Sequence, residues 1–114
     1  MEMRDAAERV LFACTLEEKL LPAPADVEDG VRGVALTTPD APGRPEGLEI
    51  APKGTRAEVP SLAKIEDERE RGVLLHFLAN HELLAAELMA LNLLRFPDAP
   101  AGYRAGVYKA THFL

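Results

Sequence analysis

Between Val73 and Leu94 the apolar side chains of the chain point in nearly every direction around a helix. The segment reads VLLHFLANHELLAAELMALNLL. Leu and Ala dominate it, no proline interrupts it, and both are good helix formers. At about 100° per residue, apolar residues fall on all sides of the cylinder. Such a helix needs cover on most sides, so it calls for at least two neighbouring helices and a bundle to hold it. The pattern predicts one long helix from about Asp67 to Arg95, with a short helix from Ser61 running into it. FPDAP breaks the pattern, and Asp98 and Pro100 suit the start of a last helix from Ala99.

The rest of the chain divides into two further zones. Over residues 1–21, Ala6, Val10, Leu11 and Cys14 recur at helical spacing. Thr15 followed by Glu18 matches a capping box, so two short helices joined near Thr15 are expected. Residues 22–60 hold seven of the nine prolines and five of the eight glycines. Proline fixes φ and removes a donor, and glycine weakens regular elements, so no helix longer than two turns is expected there. Two readings stay open for this zone. One is a disordered linker; the other is a segment lying extended across the helical body, because VRGVALTT and GLEIAP carry apolar residues suited to extended chain. Residues 61–114 form the helical zone. The fold class read from this is all-α, with a proline-rich extended segment ahead of the main helices.

The long helix carries ionisable groups where core residues are expected. Glu82 shares its direction with Leu75, Leu78, Ala86, Met89 and Leu93, which predicts a buried carboxylate. Burial of a carboxylate is costly unless it is neutralised, hydrogen-bonded or metal-bound. Glu87 has polar company from His76 and Asn80, and His81 points a third way, towards Asn92. These groups do not converge from a single helix, so any joint site needs partners on other elements. The bland readings are a solvated surface Glu, core histidines that hydrogen-bond, an exposed His112 without a role, and a small buried apolar Cys14. His81–Glu82 is not the start of a zinc-protease motif, because the second His that motif needs would fall at Ala85. The sequence also lacks a Ser–His–Asp pattern, a glycine-rich phosphate loop and a Cys–His metal spacing.

A net charge of −6 argues against a binder of nucleic-acid phosphates. A lone cysteine cannot form an internal disulfide, and the acidic, charge-interrupted N-terminus is not a secretory leader. The longest charge-poor stretch, Leu83 to Leu94, is too short to span a bilayer. A cytoplasmic protein with no membrane or nucleic-acid partner is the expectation. The apolar helix exceeds what short neighbours can cover, so self-association is expected through Leu75, Leu78, Met89 and Leu93 with Tyr103 and Val107.

LLHFLANHELLAAELMALNLLRFPDAP resembles the hallmark of an uncharacterised bacterial group of ferritin-like domain proteins. RVLFACTLEEKL and DAPGRPEGLEIAPKG resemble that group's leader, so the resemblance covers most of the chain. It implies part of a four-helix, ferritin-like bundle of the type that holds two metal ions, iron or manganese, for oxidoreductase-like chemistry. In that architecture Glu-x-x-His helices complement helices that each bring a Glu. Glu82 matches the lone Glu of the first core helix, and His81 and Glu87 are implied as supporting metal groups. The Glu-x-x-His run is absent from this sequence. The resemblance therefore implies the N-terminal part of a longer protein, without a complete metal site or activity of its own. The alternative is a non-catalytic helical module for self-association or protein interaction.

Overall fold

The computed structural model of the chain describes residues 1–51 and 61–113. Among these residues the protein is helical and contains no strand. Its α-helices are α1 (Met3–Phe12), α2 (Leu16–Lys19), α3 (Glu68–Arg95) and α4 (Ala101–Phe113), with a 3₁₀ turn at Leu62–Lys64. The short helix expected from Ser61 is this single turn.

Each boundary has a local cause. The Thr15 hydroxyl accepts from the Glu18 amide at 3.2 Å, which caps α2. The Asp67 carboxylate accepts from the amides of Arg69 and Glu70 at 2.9 and 3.3 Å and opens α3. Two acidic residues in its first turn, Glu68 and Glu70, add favourable charge at the positive end of the helix dipole. Pro97 and Pro100 stop α3 and set the turn into α4.

The long helix packs on α1 and on α4, and the core lies where the three meet. Met3, Ala6, Ala7, Val10 and Leu11 of α1 face Ala86, Ala90, Leu93 and Leu94 of α3, with Tyr108 from α4. Alanines at the helix contact let backbones approach closely, and the two leucines fill the space beside them. All buried residues of α3 lie between Ala86 and Leu94. Its first half runs on past its neighbours and leaves Leu75 and Leu78 about half exposed, at 60 % and 49 %.

Residues 20–51 carry no helix and hydrogen-bond to the helices at many points. The amide of Met3 donates to the Glu28 carbonyl, that of Leu36 to Leu94, and that of Gly43 to Leu11. Arg4 Nη1 donates to the carbonyls of Arg32 and Val34. The part of the proline-rich zone at 52–60 lies outside the described residues.

By length and composition alone, α3 is long and apolar enough to cross a membrane. This differs from the sequence expectation, which counted only the charge-poor Leu83 to Leu94. The helix continues beyond that stretch on its N-terminal side, and its apolar content carries with it.

Candidate functional site

The centre of the molecule is a buried carboxylate held by two cations. Glu87, on α3, is 1 % exposed. Lys19, the last residue of α2, brings its ammonium to 2.8 Å from Glu87 Oε2. The remaining donors of that ammonium reach the carbonyls of Val10 and Leu11 at 2.7 and 3.2 Å. Those carbonyls belong to the last turn of α1, where a cation is favoured by the helix dipole. Arg44 lies across the other side. Its Nε donates to both Glu87 oxygens, at 3.1 and 2.8 Å, and its Nη2 donates to Oε1. Nη1 continues to the Leu48 carbonyl and to Asn80 Oδ1, at 3.1 and 2.9 Å.

Local sequence explains how Arg44 arrives there. The preceding Gly43 passes so close to the end of α1 that a Cβ would overlap the Phe12 carbonyl. Only glycine permits that approach, and Pro45 fixes the backbone on the other side. The result joins α1, α2, α3 and the 20–51 segment at one point. A second arginine does similar work at the far end of α3. Arg104, 1 % exposed, pairs with Asp29 at 2.9 and 3.0 Å. It also donates to the Leu93 carbonyl, in the last turn of α3 where helix carbonyls lack amide partners, and to the Phe96 carbonyl, which the Ala99 amide reaches as well.

These positions reverse the expected roles of two glutamates. Glu82, expected to be buried, is exposed; Glu87 is the one in the core. The wheel gave Glu82 the right stripe, but α1 and α4 cover that stripe only from Ala86 onward. Glu82 sits one turn too early to be covered. It borders an open, mainly apolar groove of about 460 Å³, together with His76, Asn80, Leu83, Leu20 and Leu21. His81 is exposed as well. Its Nδ1 lies 3.1 Å from the Phe77 carbonyl one turn back, and its ring packs on Phe77 at 4.3 Å between centroids. Cys14, expected inside, is exposed in the turn between α1 and α2. His112, expected outside, is partly buried against Tyr108.

The donor set implied for a metal is therefore dispersed. Glu82 and His81 face solvent, while both oxygens of Glu87 are engaged by Lys19 and Arg44. A metal at Glu87 would have to displace two cations already seated on its lone pairs. Among the described residues, no three His, Cys, Asp or Glu side chains come together as a metal-binding group. The residues present do not fit a carboxylate-bridged pair of metals without groups from elsewhere.

Sequence reasoning did not single out Lys19, Arg44, Asp29 or Arg104. For Lys19 a signal existed: it lies in an otherwise apolar and acidic capped turn, LEEKL, next to the end of α1. For Arg44 there was none, since PGRPEG reads as a solvent-exposed turn.

A family model described as "Protein of unknown function (DUF455)" matches residues 3–112. No curated protein and no solved structure matches the chain.

Proposed function

The chain belongs to the family of proteins of unknown function DUF455, and from that premise we propose that it is a helical association module that pairs with a second copy through the first half of α3. One observation carries the reading. Leu75 and Leu78 share a face that no other element covers among the described residues, at 60 % and 49 % exposure. Val73 and Leu88 add exposed apolar surface on other sides of the helix. Exposed apolar area of this kind favours association, and two copies of one helix face can meet about a two-fold axis. The contact differs from the sequence expectation at its C-terminal end, because Leu93 is already 2 % exposed inside the chain. Sedimentation velocity at micromolar concentration tests it. A dimer is expected, and Leu75→Glu with Leu78→Glu should return it to monomer. Wild-type protein that stays monomeric sinks the reading.

A second reading, ancestral to the first, is the front part of a ferritin-like bundle whose dimetal centre is completed by further helices. What favours it is the place of Glu82, on the same open face as Leu75 and Leu78 and beside His76 at the groove. There it would serve as a terminal ligand, with His81 as a neighbour. Glu87, held by Lys19 and Arg44, would act as structural support and not as a ligand. Iron or manganese titration of wild type against Glu82→Gln separates the two readings. Stoichiometric uptake lost in the variant favours the metal centre; no uptake in either is what both readings expect of this chain, and the sedimentation result then decides between them.

A further inference from the structure

The uncovered half of α3 has a sharp limit. No residue from Glu68, where the helix starts, to Ala85 is buried, and the buried residues of the helix begin at Ala86. At about 1.5 Å per residue this half is about 27 Å long. Four of its exposed residues, Arg71, Leu75, Leu78 and Glu82, follow one another at steps of four, three and four residues. At about 100° per residue they lie within an arc of about 60°. That alternation is the seam along which two helices pack side by side. The order along it is cation, apolar, apolar, anion.

We propose that this seam pairs antiparallel with the same seam of a second copy, about a two-fold axis between His76 and Phe77. The proposal rests on the association reading above and adds its direction and register. The midpoint of the uncovered half falls between those two residues, so this axis lets the two halves overlap along their whole length. The same axis sets Leu75 against Leu78 of the partner subunit and Arg71 against the partner's Glu82. Two-fold symmetry makes each contact twice. The leucines of both copies then form one apolar cluster, and an ion pair closes it at either end.

Charge decides the direction and the register. A parallel pair would put Arg71 on the partner's Arg71 and Glu82 on the partner's Glu82, two like-charge contacts. A slip of one turn along the antiparallel pair sets a charge against a leucine in either direction. It brings Arg71 onto Leu78 of the partner subunit, or Glu82 onto Leu75 of the partner subunit. Among the described residues neither Arg71 nor Glu82 takes part in an ion pair within its own chain, so both charges are available to a second copy. Glu68, one turn before Arg71, faces the uncharged Ala85 of the partner subunit in this register. Beyond the overlap, the covered half of the second copy's helix runs beside the 3₁₀ turn, where Leu62 and Ile65 are exposed.

Charge reversal on the whole chain tests the register. Dimer dissociation constants are measured by sedimentation at low salt, with a chelator present so that no metal bridges carboxylates. Arg71→Glu turns both ion pairs into Glu–Glu contacts, and Glu82→Arg turns both into Arg–Arg contacts. Each should weaken the dimer about tenfold or more, and the loss should shrink in high salt. The double variant Arg71→Glu with Glu82→Arg restores both pairs and should dimerise like wild type. An equal mixture of the two single variants should form heterodimers more tightly than either forms homodimers. Both positions are exposed, and helical circular dichroism checks that each variant is folded. Where a reversal unfolds the chain, Arg71→Gln and Glu82→Gln take its place, each with a smaller weakening. Single variants that dimerise like wild type overturn the antiparallel register and leave helix association standing, as does a double variant no tighter than the singles. Wild type that stays monomeric overturns both.

Discussion

Replacing Glu87 by Gln removes one negative charge and almost no volume. It leaves the Lys19 ammonium and the Arg44 guanidinium inside the protein, each at or below 2 % side-chain exposure, with no anion between them. Leaving a buried charge uncompensated typically costs about 3–5 kcal/mol. A domain of this size has a total stability of roughly 5–15 kcal/mol, so the change removes a large fraction of it. The reason for a value in the upper half of that range is geometry. The two cations are fixed by other bonds, Lys19 to the end of α1 and Arg44 to Leu48 and Asn80, and cannot swing out to water without dismantling the junction. Urea unfolding followed by helical circular dichroism measures the loss. With a slope of about 1–3 kcal/mol per molar, the midpoint should fall by roughly 1–5 M at unchanged slope.

The control is the triple variant Lys19→Met, Arg44→Met, Glu87→Leu. It removes the charges together and fills the space with apolar atoms. Buried ion clusters often tolerate such replacement, with stability equal to the parent or higher by about 1–4 kcal/mol. The triple variant should therefore be more stable than Glu87→Gln although it changes three residues and not one. If Glu87→Gln costs under about 1 kcal/mol, the cations are not desolvated as described. If the triple variant is the less stable of the two, the hydrogen bonds of the junction outweigh its desolvation, and the reasoning fails at that step.

Other changes test separate parts of the molecule. Gly43→Ala drives a methyl group into the Phe12 carbonyl, so the 20–51 segment must shift; thermal unfolding should show a loss of about 1–3 kcal/mol, as for other overpacked sites. Thr15→Ala removes the α2 cap and should cost about 0.5–2 kcal/mol by the same assay, with Lys19 loosened as a consequence. Burial raises the Tyr108 pKa above its ordinary value of 10.0, so the folded state holds that proton more tightly than the unfolded one. Its stabilising contribution is whole below about pH 10 and declines as pH rises through the folded pKa; comparing alkaline unfolding of wild type and Tyr108→Phe should show a shallower decline in the variant.

Helix positions were legible from local rules. The run of Leu, Ala and Glu, the Asp67 and Thr15 caps and the two prolines after Arg95 specify α2, α3 and α4 through contacts within a few residues. These signals are intrinsic to short stretches and survive without tertiary knowledge. The burial of Glu82 and Glu87 was not legible, because a helical wheel supplies direction around the axis but not position along a neighbour. Whether a residue on the right stripe is covered depends on where α1 and α4 end against α3, and no local pattern records that.

The same reasoning explains why the Glu87 clamp escaped notice. Its three charged members come from residues 19, 44 and 87, which nothing in the sequence links. Two of them, Lys19 and Arg44, are residue types that normally remain at the surface, with long apolar stems and a charged head. Their burial is set by two short-range devices with no charge of their own. The Thr15 cap starts α2 so that Lys19, its last residue, points at the carbonyls closing α1, and Gly43 lets the chain press against that same helix end. The cations then meet Glu87 because α3 crosses α1 there. The carbonyls closing α1 thus seat the Lys19 ammonium, and the glutamate on the crossing helix takes that cation and Arg44 on its two oxygens. On this account the position of Glu87 follows from α1 and α2, and its carboxylate serves the fold before any ligand.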